Sequence, residues 1–159
     1  MKNPPSITFK ATAVLAIVLM VFACTKESTP SLIDELAKSN WRKASILVST
    51  DSVIDTIPVV DILTSKPDCA KDNIWKFNAV TNTFQLDEGP TKCNVLDPDI
   101  KDQGIIEEQN GGELLRVAGT GTNEIWEIES RTTEAFRVSY FARTAANKQA
   151  KFRVVFEKI

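Results

Sequence analysis

Histidine does not occur anywhere in this chain of 159 residues. Without an imidazole base, hydrolases built on Ser/His/Asp or Cys/His are excluded at the level of residues. A surplus of positive charge is missing too: 19 Lys and Arg stand against 21 Asp and Glu, a net charge of −2. No run of Lys or Arg concentrates what cations there are, so the electrostatic footprint that nucleic-acid binding requires is absent. Long apolar stretches are equally scarce. Only one occurs, from Ala11 to Ala23 with Thr12 its single polar residue, which excludes a protein crossing a membrane with several helices.

That single run lies behind Lys2 and Lys10 and is too short to span a bilayer, which takes about 20 residues. Its length and charged flank are those of a signal-peptide core, with the small residue Ala23 at the candidate cleavage point. There the chain reads Val21-Phe22-Ala23-Cys24, which resembles the bacterial lipobox, although Phe22 departs from the small or branched residue usual at its position. The resemblance implies that residues 1–23 are removed, that Cys24 is acylated, and that membrane lipid is a partner through that anchor. It implies a place in the cell envelope, at the outer membrane, on its periplasmic or surface face. Residues 24–31, rich in Ser, Thr and Pro, read as a flexible tether, leaving 32–159 as one domain.

Three cysteines thus divide into a lipid-bearing Cys24 and a pair, Cys69 and Cys93, in the exported domain. An oxidising compartment favours a bridge between them, worth about 3.5 kcal/mol by chain entropy; two reduced, buried thiols are the alternative. Metal is not expected, because two thiolates without histidine leave a tetrahedral zinc site incomplete.

Along the domain one short helix comes first, capped by Ser31 with Asp34 three residues on, and with Leu32, Ile33, Leu36 and Ala37 on one face. From Trp41 the apolar period changes to two. Strands are expected at 41–49, 53–63, 73–79, 83–87, 104–108, 113–118, 123–130, 135–142 and 151–157. The alternation is plainest in Trp75/Phe77, Trp126/Ile128, Phe136/Val138/Tyr140 and Phe152/Val154/Phe156. Thr81-Asn82, Glu88-Gly89-Pro90, Asn110-Gly111-Gly112, Gly119-Thr120-Gly121 and Ala146-Asn147 supply the turns. No connection after Cys69 has room for a crossover helix, so neighbouring strands should pair antiparallel. A meander of eight or so strands removes its exposed edges by closing into an all-β, up-and-down barrel.

Asp68-Cys69-Ala70-Lys71-Asp72-Asn73-Ile74-Trp75-Lys76-Phe77, then Phe84, Asp87-Glu88-Gly89 and Thr91-Lys92-Cys93, resembles the lipocalin-like domains of Bacteroidota lipoproteins. There a cysteine precedes an acidic or amide turn and an aromatic strand, and a second cysteine follows the next strand. Asn40-Trp41, Trp126-Glu127-Ile128 and Phe152 to Glu157 extend the likeness over most of the domain. Ser39 departs from the glycine of the Gly-x-Trp motif, and the segment 51–67 is long and interrupted by Pro58 and Pro67. The resemblance implies that Trp41 plugs the closed end of a barrel beneath an arginine of a late strand, Arg137 or Arg153. Asp51-Ser52-Val53 and Asp55-Thr56-Ile57 resemble the O-glycan acceptor of exported Bacteroidota proteins, which makes Ser52 and Thr56 candidates.

No residue set speaks for catalysis, and no cofactor is implied. Asp97, Asp99 and Asp102 lack the glycine and closing glutamate of a dedicated calcium loop and read as a solvated turn. Glu107 and Glu108, adjacent on a strand, point to opposite faces. Gly119-x-Gly121 has no third glycine and no following helix, as a nucleotide loop requires. Trp75, Phe77, Phe84, Trp126, Phe136 and Tyr140 are the candidate lining of a pocket for a small apolar or amphipathic ligand, and equally the candidate filling of a solid core. The first alternative makes the domain a non-enzymatic binding module. The second makes it a structural or protein-interaction module of the cell envelope.

Overall fold

A computed structural model describes residues 30–49 and 60–159. The leader, Cys24, the candidate acceptors Ser52 and Thr56, and most of the expected second strand lie outside the described residues.

Helix α1 (Leu32–Leu36) forms where expected, its Ser31 hydroxyl accepting from the Asp34 amide, with Leu32, Ile33 and Leu36 buried. Strand β1 (Asn40–Ser49) follows, then a two-residue β2 (Val60–Asp61), a helical turn α2 (Asp68–Lys71) and strands β3 (Ile74–Asn78) and β4 (Thr83–Asp87). The chain continues through β5 (Ile100–Gln109), β6 (Leu114–Gly119), β7 (Asn123–Arg131), β8 (Ala135–Arg143) and β9 (Gln149–Lys158). From β3 onward each strand pairs antiparallel with the next. β1 closes the ring by pairing with β9 along one edge and with β3 at the base of the other, so β1 and β3 to β9 make a closed barrel of eight strands. Three of the expected turns rest on residues that tolerate positive φ: Asn82 (51°), Asn110 (50°) and Asn147 (59°).

Two expectations are corrected. The strand predicted over 53–63 does not run through to Leu63, because the Asp61 carboxylate accepts from the amides of Leu63 and Ile46 and folds residues 62–65 into a turn. The solvated turn predicted for Asp97 to Asp102 ends sooner: β5 begins at Ile100, and Asp102 lies in it, 5% exposed. Its Oδ1 accepts from the amides of Gln103, Thr120 and Gly121 and from the Thr120 hydroxyl, pinning the β6–β7 turn. Burial would raise this carboxyl, yet hydrogen bonds from Thr122, Thr120, Gly121 and Gln103 hold it below its ordinary value.

Cys69 and Cys93 form a disulfide that ties α2 to the β4–β5 connection at the open end of the barrel. Gly89 fits closely there, since a Cβ on it would lie 2.3 Å from the Asp72 carbonyl oxygen. At the other end α1 stops the barrel, its Glu35 paired with Arg131 at 3.5 Å beside the β7–β8 turn.

Candidate functional site in the barrel lumen

The period of two decides which side chains reach the interior. On β1 these are Trp41 and Lys43, then Ile46, because a bulge between Lys43 and Ser45 inserts one residue and shifts the phase. Trp75 and Phe77 come from β3, Phe84 from β4, Glu124 and Trp126 from β7, Phe136, Val138 and Tyr140 from β8, and Phe152, Val154 and Phe156 from β9.

The lower half of this interior is solid. Trp75 lies at its centre, with ring centroids 5.3 Å from Trp126, 5.4 Å from Phe84, 5.8 Å from Phe156 and 6.4 Å from Phe77. Phe136 stacks on Phe156 at 4.5 Å and receives the edge of Trp41 at 4.9 Å. Five of the six candidate lining residues, Trp75, Phe77, Phe84, Trp126 and Phe136, are therefore brought together as mutual packing, each no more than 7% exposed. Tyr140 sits at the edge of this packing: it is half-buried, stacks on Trp126 at 6.5 Å and on half-buried Phe152 at 5.3 Å, toward the open end.

Beside Tyr140 the interior turns polar. The Glu124 carboxylate accepts from the Trp126 indole at 2.6 Å and from the Tyr140 hydroxyl. Lys43 places its ammonium 5.0 Å above the Trp75 ring and 5.8 Å from that of Phe156. Burial lowers the Lys43 pKa despite the attraction of Glu124. Burial likewise raises Glu124, with Trp126, Lys43 and Tyr140 pulling the other way. Tyr140 is raised by burial first and by the Glu124 charge second. All three keep part of their surface accessible, so the space they border is not sealed. Neither Lys43 nor Glu124 was a sequence candidate. The signal was present, since Lys43 stands two residues after Trp41 and Glu124 two before Trp126, each on the inward face.

At the closed end Trp41 is 3% exposed and its indole donates to the Leu36 carbonyl at 2.8 Å. The arginine beside it is neither Arg137 nor Arg153. Arg137 is exposed, and Arg153 pairs with Glu129 at 2.8 Å, on the opposite strand face from inward Phe152 and Val154. Arg131, at the end of β7, instead borders with Leu36, Trp41, Phe136 and Lys158 a groove of about 540 Å³. Asp97, Asp99 and Asp102 do not converge: Asp97 accepts from the Asn94 amide, Asp99 pairs with Lys92 at 2.6 Å, and Asp102 holds the distant turn. Among the described residues no three His, Cys, Asp or Glu side chains are grouped to hold a metal ion.

An antiparallel eight-stranded barrel stopped at one end by a short N-terminal helix, with an aromatic floor and partly exposed polar side chains above it, is a lipocalin-like barrel. The chain is similar to bovine odorant-binding protein solved with its natural ligand, at 12% identity and a TM-score of 0.42 over 84% of this chain and 77% of that one. The same protein with a selenium-containing odorant gives 12% identity and a TM-score of 0.41, over 84% and 76%. No protein-family model and no curated protein matches the chain.

Proposed function

We propose that this chain is a lipoprotein anchored through Cys24 whose barrel binds a small amphipathic molecule, the apolar part above the Trp75 floor and the polar part among Lys43, Glu124 and Tyr140. The observation that carries this reading is the buried charge. A barrel with only a structural task is most stable when filled with apolar side chains. An ammonium and a carboxylate set inside the barrel lose part of their hydration, which their attraction offsets only in part. A ligand head group gives those charges a use, in a pocket otherwise apolar. Native mass spectrometry of the delipidated domain from its host should show a co-purifying small molecule, and amphipaths should change the fluorescence of Trp75 and Trp126. An empty protein with no tryptophan response across a lipid panel would refute it.

The second reading is a protein-interaction module. Ile125 and Phe141 are 55% and 59% exposed, and Ile105 is 47% exposed, all outside the barrel. It predicts that Ile125→Ser with Phe141→Ser abolishes capture of an envelope partner and leaves the tryptophan response unchanged.

A further inference from the structure

Resting on the ligand-binding reading above, we propose that Lys43 is a nucleophile with which the lumen captures a small apolar aldehyde as an imine, Glu124 relaying the protons. The capture is stoichiometric and needs no turnover.

Placement distinguishes this lysine from the others. Lys76 is paired with Asp87, Lys101 with Glu88 and Lys151 with Glu129, while Lys38, Lys66 and Lys148 are exposed. Lys43 faces inward over two aromatic rings, and among the described residues its nitrogen has no ion-pair or hydrogen-bond partner in contact. An amine that burial disfavours as a cation presents a lone pair more readily than one in water, and an apolar pocket is a recognised way to prepare a lysine for carbonyl chemistry. The bulge that follows Lys43 lies at the point where the strand must aim this side chain.

Charge selects the ligand class. Glu124 already sets one acidic group beside Lys43 in the lumen, and a ligand carboxylate would add a charge that this poorly hydrated interior disfavours whichever form Glu124 takes. A carbonyl adds none. Its apolar remainder, stacked over Trp75 or against Tyr140 and Phe152, meets aromatic faces.

The chemistry balances without any further reagent. The Lys43 lone pair forms the C–N bond while the carbonyl π electrons move to oxygen. A proton passes from nitrogen to that oxygen, giving a carbinolamine. Glu124, which burial inclines toward its protonated form, protonates the hydroxyl, and water leaves as the C=N bond forms. The remaining nitrogen proton returns to the Glu124 carboxylate, so aldehyde and amine have become imine and water. Tyr140, donating to Glu124, is a positioning residue.

The probe is cinnamaldehyde, given to the purified mature chain with its disulfide intact, with cyanoborohydride added to fix any imine. Peptide mapping should then recover one adduct per chain, on Lys43, at least about tenfold above any exposed lysine. Lys43→Arg, which keeps the cation over the rings, should lose the adduct. Glu124→Gln should slow its formation at least about tenfold, as removal of a general acid does, with unchanged far-ultraviolet dichroism. Wild-type mapping alone decides the question even where a variant fails to fold. Cinnamyl alcohol separates capture from binding. If the alcohol quenches tryptophan fluorescence while the aldehyde labels exposed lysines and spares Lys43, capture is overturned and the binding reading stands. If neither molecule perturbs the tryptophans and Lys43 stays unlabelled, both fall.

Discussion

Replacing Cys69 and Cys93 together by alanine should lower the stability of the domain by about 3.5 kcal/mol. The two are separated by 24 residues, and loop-closure entropy for a ring of that size, roughly 12 cal/mol/K, gives this figure at room temperature. The effect acts mainly on the unfolded chain, which the bridge keeps from expanding. On the folded side little is lost, because the connection is also held by the Cys93 amide and Lys101 donating to Glu88 and by the Thr91 amide donating to Asp72. Urea titration followed by tryptophan fluorescence reads the change. With a slope of about 2 kcal/mol per molar for a domain of this size, the midpoint should fall by about 1.7 M. The slope itself should rise, since an unbridged chain exposes more surface on unfolding. A midpoint shift below about 0.5 M with an unchanged slope would refute the entropic account and place the bridge's worth elsewhere.

Asp102→Ala should destabilise by about 2 kcal/mol, because it removes the charged acceptor shared by the amides of Gln103, Thr120 and Gly121. The folded carboxyl titrates below its ordinary value of 3.8, so its contribution is present above that pH and is lost as pH falls through the folded value. The gap between wild type and Asp102→Asn should accordingly shrink in strong acid; a gap independent of pH contradicts the assignment. Phe156→Ala, at a fully buried ring stacked on Phe136, should remove about 4 kcal/mol in the same urea assay, and less than about 1.5 kcal/mol would mean that the aromatic floor is loosely packed. Cys24→Ala should abolish acyl labelling of the precursor, and persistent labelling would end the anchor proposal. Intact mass of protein from its native host should show a glycan adduct that Ser52→Ala with Thr56→Ala removes; an unmodified mass rejects those acceptors.

Much of the barrel can be read from residues alone, because its determinants are local. Trp75/Phe77 and Phe152/Val154/Phe156 carry the two-residue alternation directly, Ser31 announces the helix, and Asn82, Asn110 and Asn147 mark turns by their tolerance of positive φ. What escaped the reading depends on distant partners. Asp102 lies in a Pro- and Asp-rich stretch that looks wet, and the donors that make its burial possible come from residues 18 and 19 positions away. Arg131, not Arg137 or Arg153, is the arginine that shares a groove with Trp41, because strand length and the register shift after Ile128 decide which cation ends at that side of the barrel. Lys43 and Glu124 were within reach of the alternation rule, which conflicts there with the stronger habit of charged groups to face water. Whether six aromatic residues line a space or fill it is a matter of packing, and no pattern of residue types encodes it.

The closing pair of strands also fixes how the molecule would hang. Residue 30 leads directly into α1, at the stopped end, and the last strand finishes there as well, with the Ile159 amide donating to Asn40. If a lipid is fastened ahead of this point as proposed, it would hold the barrel from its base, with the mouth bordered by the disulfide-tied loops at the far end. Molecules would then be exchanged with the surrounding fluid rather than drawn sideways out of the membrane.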